Sequence, residues 1–421
     1  MWLATGAALS RDSRFGTFAF KIQALEITIG KSASPSMNSE SQVQAAISSR
    51  SSRAPRLRQA CFDDHPLIAA LARRFGLGFE QKSAWEHLWV NNPAYREIQG
   101  KFPMGWVLED GGGRIQGYLG NIPLHYEFEG KRLLAAATRS WVVDTPCRGY
   151  ALMLLGPFYQ QRNVDLFLGT SVNSQSGVAS GLFKNVRVPV GTWDRSLFWI
   201  THHRGFTDSF FTKKGWTFAK AFSYPVSLGL SLRDRARGSG FRNGASDLAV
   251  VPVESIDERF DAFWAALRKK KSGLLLAVRD RETIDWHFKF ALNRRDAWVY
   301  TFSGAAGMTG YAVFLRQERQ QVGLNRVCLV DFQCLEEEKA GKFFMAALWT
   351  AFERCRRESI HMLELIGLPP ALKASAELAA PHHRKFDNWM YFYKTNNPTL
   401  AKKLKRAEVW EPSLFDGDSS L

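Results

Sequence analysis

Cysteine is scarce in this chain. There are five in 421 residues (Cys61, Cys147, Cys328, Cys334 and Cys355), an odd number with no C-x-x-C pair. That argues against a disulfide framework or a structural zinc site and fits a reducing cytoplasm. The adjacent pairs His202-His203 and His382-His383 lack metal-ligand spacing, so no metal is expected. Long apolar runs are missing as well. Residues 1–36 carry Arg11, Arg14, Lys21 and Lys31 among their apolar residues, which breaks up any secretory-type core. Acidic residues are outnumbered, 40 against 56 Lys and Arg, for a formal net charge of +16. A basic surface attracts polyanions: nucleic acid, anionic lipid or phosphorylated ligands. No zinc-finger spacing, RNP-like aromatic strand or helix-turn-helix pattern accompanies that charge, so nucleic acid is not an expected partner.

What is present is globular. Hydrophobic residues make up 45 % and aromatics 13 % of the chain, with 14 Trp and 31 Phe. At this length two domains are expected, each with its own core. Residues 32–53 are Ser-rich and without periodicity, so residues 1–55 read as a disordered extension. Whether the start is Met1 or Met37 stays open.

Regular structure is expected from Arg56. A short strand at Leu57–Cys61 precedes two helices, and three strands follow, separated by the turns Asp110-Gly111-Gly112-Gly113 and Glu129-Gly130. The third strand, Leu133–Val143, runs into Asp144-Thr145-Pro146-Cys147-Arg148-Gly149-Tyr150-Ala151 and then the apolar helix pattern Leu152 to Tyr159. A helix opening from a tight Arg-Gly turn aims free N–H groups and its positive dipole end at one spot, which suits a phosphate. Asp165–Thr170 is the next strand, Asn173–Phe183 the next helix, and Arg187–Val190 with Ser196–Thr201 a closing strand.

The stretch Val142–Ala151 resembles the acyl-CoA-binding motif of the GNAT (Gcn5-related N-acetyltransferase) superfamily. Arg148 fills the first position of the family's Arg-x-x-Gly-x-Gly/Ala turn, while Ala151 and Met153 stand where it has Gly and Gly/Ala. The element order over residues 56–205 matches as well. The resemblance implies a mixed α/β sheet whose middle strands splay around the pantetheine arm. It implies that Val143 offers its N–H to the thioester or pantetheine, and that Arg148, Gly149, Tyr150 and Ala151 face the pyrophosphate. Asn173 corresponds to a CoA-facing Asn, with a plain helix N-cap as the alternative. Asp144 is a candidate base, though it can equally cap the turn. Arg139 and Ser140 lie on the strand before the motif, and Asp331 sits at a parallel place later in the chain. No Tyr occupies the usual general-acid region, where Phe183 is the nearest aromatic.

Residues 206–248 read as a connector helix and linker. Gly215–Leu232 holds a single charge, Lys220, between Lys213-Lys214 and Arg233, Arg235 and Arg237. A spanning helix needs about 20 apolar residues, and Ser223 and Pro225 count against one here. A connector between domains and an interfacial membrane helix are both open readings. From 249 to 421 the order of helices and strands repeats, which reads as a second, degenerate GNAT-like domain with an acidic, aromatic C-terminal tail. There Glu336-Glu337-Glu338 replaces the Arg-Gly turn, and three carboxylates would repel a pyrophosphate.

The function this implies is transfer of an acetyl or other acyl group from acyl-CoA to an amine, such as an amino sugar or cell-surface precursor, by direct attack. The expected setting is the cytoplasm, with peripheral contact to the inner membrane through residues 206–237 as an open reading. A Fem-like transferase dependent on aminoacyl-tRNA and a non-catalytic GNAT-like protein at a membrane surface are the alternatives.

Overall fold

The turn between the second and third strands shows how local chemistry sets the chain's course. The Asp110 carboxylate accepts from the backbone N–H groups of Gly112 and Arg114, each at 3.0 Å, and Gly113 takes φ +79°. A computed structural model describes residues 54–216, 223–237, 250–305, 307–387 and 389–421. The expected N-terminal extension, all but residues 54–55, and the linker at 238–247 lie outside the described residues.

The first half begins with β1 (Arg56–Gln59), α1 (His65–Arg74), α2 (Lys82–Val90) and α3 (Pro93–Glu97). Next come β2 (Gly105–Glu109), β3 (Ile115–Phe128), β4 (Lys131–Val143), α4 (Ala151–Tyr159), β5 (Leu166–Val172), α5 (Ser174–Leu182), β6 (Val186–Arg187) and β7 (Arg195–Ile200). A helical hairpin follows, α6 (His203–Lys214) and α7 (Ser223–Arg237). The second half holds β8 (Val251–Val253), α8 (Arg259–Lys270), β9 (Leu276–Ala277), α9 (Arg281–Asn293), β10 (Ala297–Gly304), β11 (Gly307–Arg319), β12 (Leu324–Cys334) and α10 (Glu337–Arg357). It closes with β13 (Met362–Ile366), α11 (Pro370–Ala379), β14 (His382–Lys385), β15 (Met390–Lys394) and α12 (Pro398–Leu404).

These strands form two mixed sheets. The first runs β1-β2-β3-β4-β5-β15-β6, with β9 added to β3; the second runs β14-β7-β13-β12-β11-β10-β8. In each, a three-stranded meander leads through a helix to a parallel strand: β2-β3-β4-α4-β5 in one, β10-β11-β12-α10-β13 in the other. The two halves therefore share this element order.

The closing strands are exchanged. β7 does not close the first sheet, as its position in sequence suggests; it lies antiparallel to β13, with Leu197 opposite Leu365. Its counterpart β15 crosses back to lie beside β5, with Tyr393 opposite Leu168. The apolar run Leu197–Ile200 fits the interior of either sheet, so its composition alone does not select a partner.

A shared core lies between the sheets and includes Trp85, Trp89, Trp193, Trp264, Tyr311, Tyr391, Trp410 and Phe415. On the outer face of the first sheet, α4 buries Leu154, Leu155 and Phe158 against Trp106 and Phe167. On the outer face of the second, α10 buries Phe343, Phe344 and Leu348 against Trp298 and Phe302. Residues 410–421 run within the structure as a strap in which Trp410, Leu414 and Phe415 are buried.

Candidate functional site

Strands β4 and β5 pair through Ala135–Leu166, Ala136–Phe167 and Ala137–Leu168, and beyond that they part. β4 continues to Val143 and β5 to Val172. Just past the parting β4 carries a bulge. Arg139 faces Gly120 and Val142 faces Tyr118, so Ser140 and Trp141 together oppose the single residue Leu119. Ser140 takes φ +53°, a left-handed conformation uncommon for a non-glycine residue. Such a bulge turns backbone groups off the ladder. Gly120 is required opposite it, because a Cβ there would lie 2.9 Å from the Arg139 carbonyl oxygen. Val143, the position that the family resemblance singles out, is back in register with Gly117.

The chain then makes a 3₁₀ turn, Thr145–Tyr150, that feeds directly into α4. No side chain caps α4 at Tyr150; the 3₁₀ turn caps it in part, with the Ala151 N–H donating to the Arg148 carbonyl oxygen. Arg148, Gly149 and Tyr150 are exposed around this helix end, and Ala151 is half-buried. Asp144 is part of an ion-pair cluster: Arg74 donates to its Oδ2 at 2.9 Å and Arg114 at 3.1 Å. Cys147 is buried against the Gln116 amide oxygen, and burial pushes its thiol pKa up, which disfavours the nucleophilic thiolate. Asn173 caps α5, accepting from Ser176 N at 2.9 Å, while Ser176 Oγ accepts from Asn173 N at 3.1 Å.

The C-terminal strap enters the parting of β4 and β5. Thr170 Oγ1 donates to Asp418 Oδ1 at 2.7 Å, and Ser419 Oγ donates to Thr170 Oγ1 at 2.8 Å. Arg139, itself buried, donates to the backbone oxygens of Leu421 (3.0 Å) and Asp418 (3.4 Å) and pairs with Glu80. Its Nε has no hydrogen-bond partner among the described residues. Gly417 lets the strap approach this closely, since a Cβ there would stand 2.4 Å from Thr170 Cγ2. Burial raises the Asp418 carboxyl above its ordinary pKa against the opposing pull of Arg139 and the Thr170 hydroxyl. Asp416 is pushed up to about 6 by burial, against the field of Arg279. His287 donates to or accepts from Ser420 Oγ at 2.8 Å, and burial holds its pKa down to about 3, so the ring is neutral. None of Glu80, Thr170, His287 and Asp418 stands out in sequence; only the tail's acidic, aromatic composition marks it.

The second sheet has the same parting, where β12 and β13 separate after Leu329–Leu365. There the strap residues Glu411–Leu414 pack against Leu329–Gln333 and Ile366–Pro369, leaving a cavity of only about 20 Å³. Among the described residues no group of three or more His, Cys, Asp or Glu is placed to hold a metal ion.

The fold as a whole has solved counterparts. Saccharomyces cerevisiae N-myristoyltransferase with bound myristoyl-CoA superposes with a TM-score of 0.53 at 9 % identity, over 82 % of this chain and 79 % of that one. The fold is that of the acyl-CoA N-acyltransferases. The same enzyme with myristoyl-CoA and inhibitors gives 0.51 at 9 % identity, over 81 % of this chain and 80 % of that one. A GCN5-related N-acetyltransferase from Anabaena variabilis gives 0.47 at 12 % identity, over 81 % and 73 %. No family model matches the sequence, and no curated protein matches it. The acyl-CoA N-acyltransferase fold agrees with the mixed, splayed-sheet architecture that the Arg148 motif implies.

Proposed function

We propose that this chain is an N-acyltransferase that moves an acyl group from acyl-CoA to an amine. The observation that carries the reading is the parting of β4 and β5 beside both a bulge and the exposed Arg148–Tyr150 turn at the N-terminus of α4. In this reading the CoA pyrophosphate lies against the N–H groups of α4 with Arg148 beside it. The pantetheine arm enters the parting, and a backbone N–H freed at Ser140–Trp141 stabilises the oxyanion that forms at the thioester carbonyl. The amine attacks that carbon directly. Asp418, with its raised pKa, takes the proton the amine loses. The tetrahedral intermediate then collapses: the C–S bond breaks, an amide is left, and the departing sulfur takes a proton to give free CoA thiol. Acetyl-CoA or another acyl-CoA is the donor and no metal takes part. The acceptor is an amine, for which an amino sugar or cell-surface precursor is our working choice.

Isothermal titration of CoA, acetyl-CoA and myristoyl-CoA into the purified chain tests this. Arg148→Ala is expected to weaken CoA binding about tenfold or more, the scale of a charged hydrogen bond. Asp418→Asn is expected to bind CoA as the wild type does and to release thiol more slowly in an amine screen. Failure of the wild type to bind any of the three would overturn the reading.

A further inference from the structure

The helix α7 is built inside out. Surface helices normally turn apolar residues to the protein and polar ones to water. Here the inward side is mostly polar, with Leu230 its one part-buried apolar residue among those described. Ser223 and Ser227 are buried, and Asp234 is hydrogen-bonded to His203 Nε2 at 3.0 Å and His382 Nε2 at 3.1 Å. His382 accepts at Nδ1 from Arg233 at 3.3 Å, so its Nε2 carries the proton given to Asp234. Burial works to raise the Asp234 carboxyl pKa, but the two histidine hydrogen bonds hold it well below the usual range. The helix is thus anchored through charge and hydrogen bonds.

Its outward side is apolar. Tyr224, Leu228 and Leu232, four residues apart, are 67 %, 50 % and 55 % exposed. Trp216, just past α6, is 55 % exposed. Several large apolar groups displayed on one hairpin mark a surface that meets something other than water. The charge around them says what. Arg204, Lys214 and Arg235 are exposed, whereas the hairpin's two acids, Asp208 and Asp234, are part-buried.

We infer that α6 and α7 dock the protein onto an anionic lipid bilayer. Tyr224, Leu228, Leu232 and Trp216 enter the boundary between headgroups and acyl chains, and the basic residues lie among the headgroups. The helix lies on the bilayer without crossing it: no helix among the described residues is long and apolar enough to span one. A symmetric pairing with a second copy fits less well, because it would bring one basic rim against another. The inference is independent of acyl transfer.

Vesicle flotation of the full chain tests it. Binding to vesicles containing phosphatidylglycerol is expected to exceed binding to phosphatidylcholine alone by about tenfold or more and to weaken with salt. The double substitution Leu228→Glu with Leu232→Glu is expected to abolish flotation. Lys214→Glu with Arg235→Glu is expected to remove only the preference for anionic lipid. Both changes lie on exposed positions, so thermal unfolding followed by circular dichroism and CoA titration are expected to match the wild type. No flotation of the wild type with anionic vesicles, or flotation of the Leu228/Leu232 variant at wild-type level, overturns the inference. So does a dimer of the wild type in sedimentation that the same variant dissociates.

Discussion

Arg139 and Asp331 occupy the same station in the two sheets. Each lies two residues past the last pair that ties its strand to the parallel neighbour, Ala137–Leu168 in one sheet and Leu329–Leu365 in the other. Both touch the C-terminal strap, Arg139 through the backbone oxygens of Asp418 and Leu421 and Asp331 through the Ser413 hydroxyl at 2.9 Å. Their charges are opposite and so are their surroundings. Asp331 is bound by Arg279 and Tyr311 with both members of its ion pair buried, whereas Arg139 keeps an unpartnered Nε at the parting of β4 and β5. One parting is sealed by side chains, and the other carries the candidate chemistry.

Arg279 and Asp331 are each about 1 % exposed and bonded at 2.8 and 3.1 Å. Arg279→Met leaves a buried carboxylate without its cation and is expected to cost about 3–5 kcal/mol. Adding Asp331→Leu is expected to recover much of that loss. Urea unfolding of the two variants checks this, and equal losses would point to packing instead of charge.

The Asp416 carboxyl is pushed up to about 6 by burial, above its ordinary 3.8. The folded state therefore holds this proton more tightly than the unfolded chain. Its contribution to stability is fully present below about pH 4 and is lost as the pH rises through about 6. Asp416→Asn removes the loss. The variant's stability relative to wild type is expected to improve between pH 4 and 6 and stay level above that, as read from urea midpoints across the range.

Glu364 has the opposite sign. Burial works to raise its pKa, but Arg384 and Arg326 prevail, with the Ser196 hydroxyl adding to them, and hold it at about 2. The stability it confers is present above its ordinary pKa of 4.5 and fades as the pH falls toward 2. Glu364→Gln is expected to lower stability at neutral pH, and the deficit is expected to shrink on acidification.

Ser140 holds a positive φ at the bulge of β4. Ser140→Gly relieves that strain and is expected to raise stability by up to about 1 kcal/mol. Ser140→Val, β-branched at the same φ, is expected to lower the melting temperature and to slow acyl transfer more than it weakens CoA binding. Equal kinetics for both variants would remove the bulge from the mechanism.

The sequence makes the meanders legible because their signals are local. Asp110–Gly113 and Glu129-Gly130 break the chain where the structure turns, and the Arg148–Ala151 turn opens a helix as its pattern indicates. Asn173 illustrates the limit of such reading: its N-cap role is local and visible, while any ligand role is not. The exchanged strands and the contacts of the strap are invisible for the opposite reason. Thr170 meets Asp418 across 248 residues, and Arg74 meets Asp144 across 70. Nothing in the local pattern of Leu197–Ile200 or Tyr391–Tyr393 names the sheet it joins. Those contacts are chosen by the assembled core.

The exchange of β7 and β15 also sets a timetable for synthesis. As the chain leaves the ribosome, β5 emerges with an unpaired edge whose permanent neighbour follows only after the second meander. β7 follows without a partner and waits for β13. Neither sheet can be finished by the half in which it starts, so a nascent chain stalled between the halves carries open strand edges that only continued translation can cover.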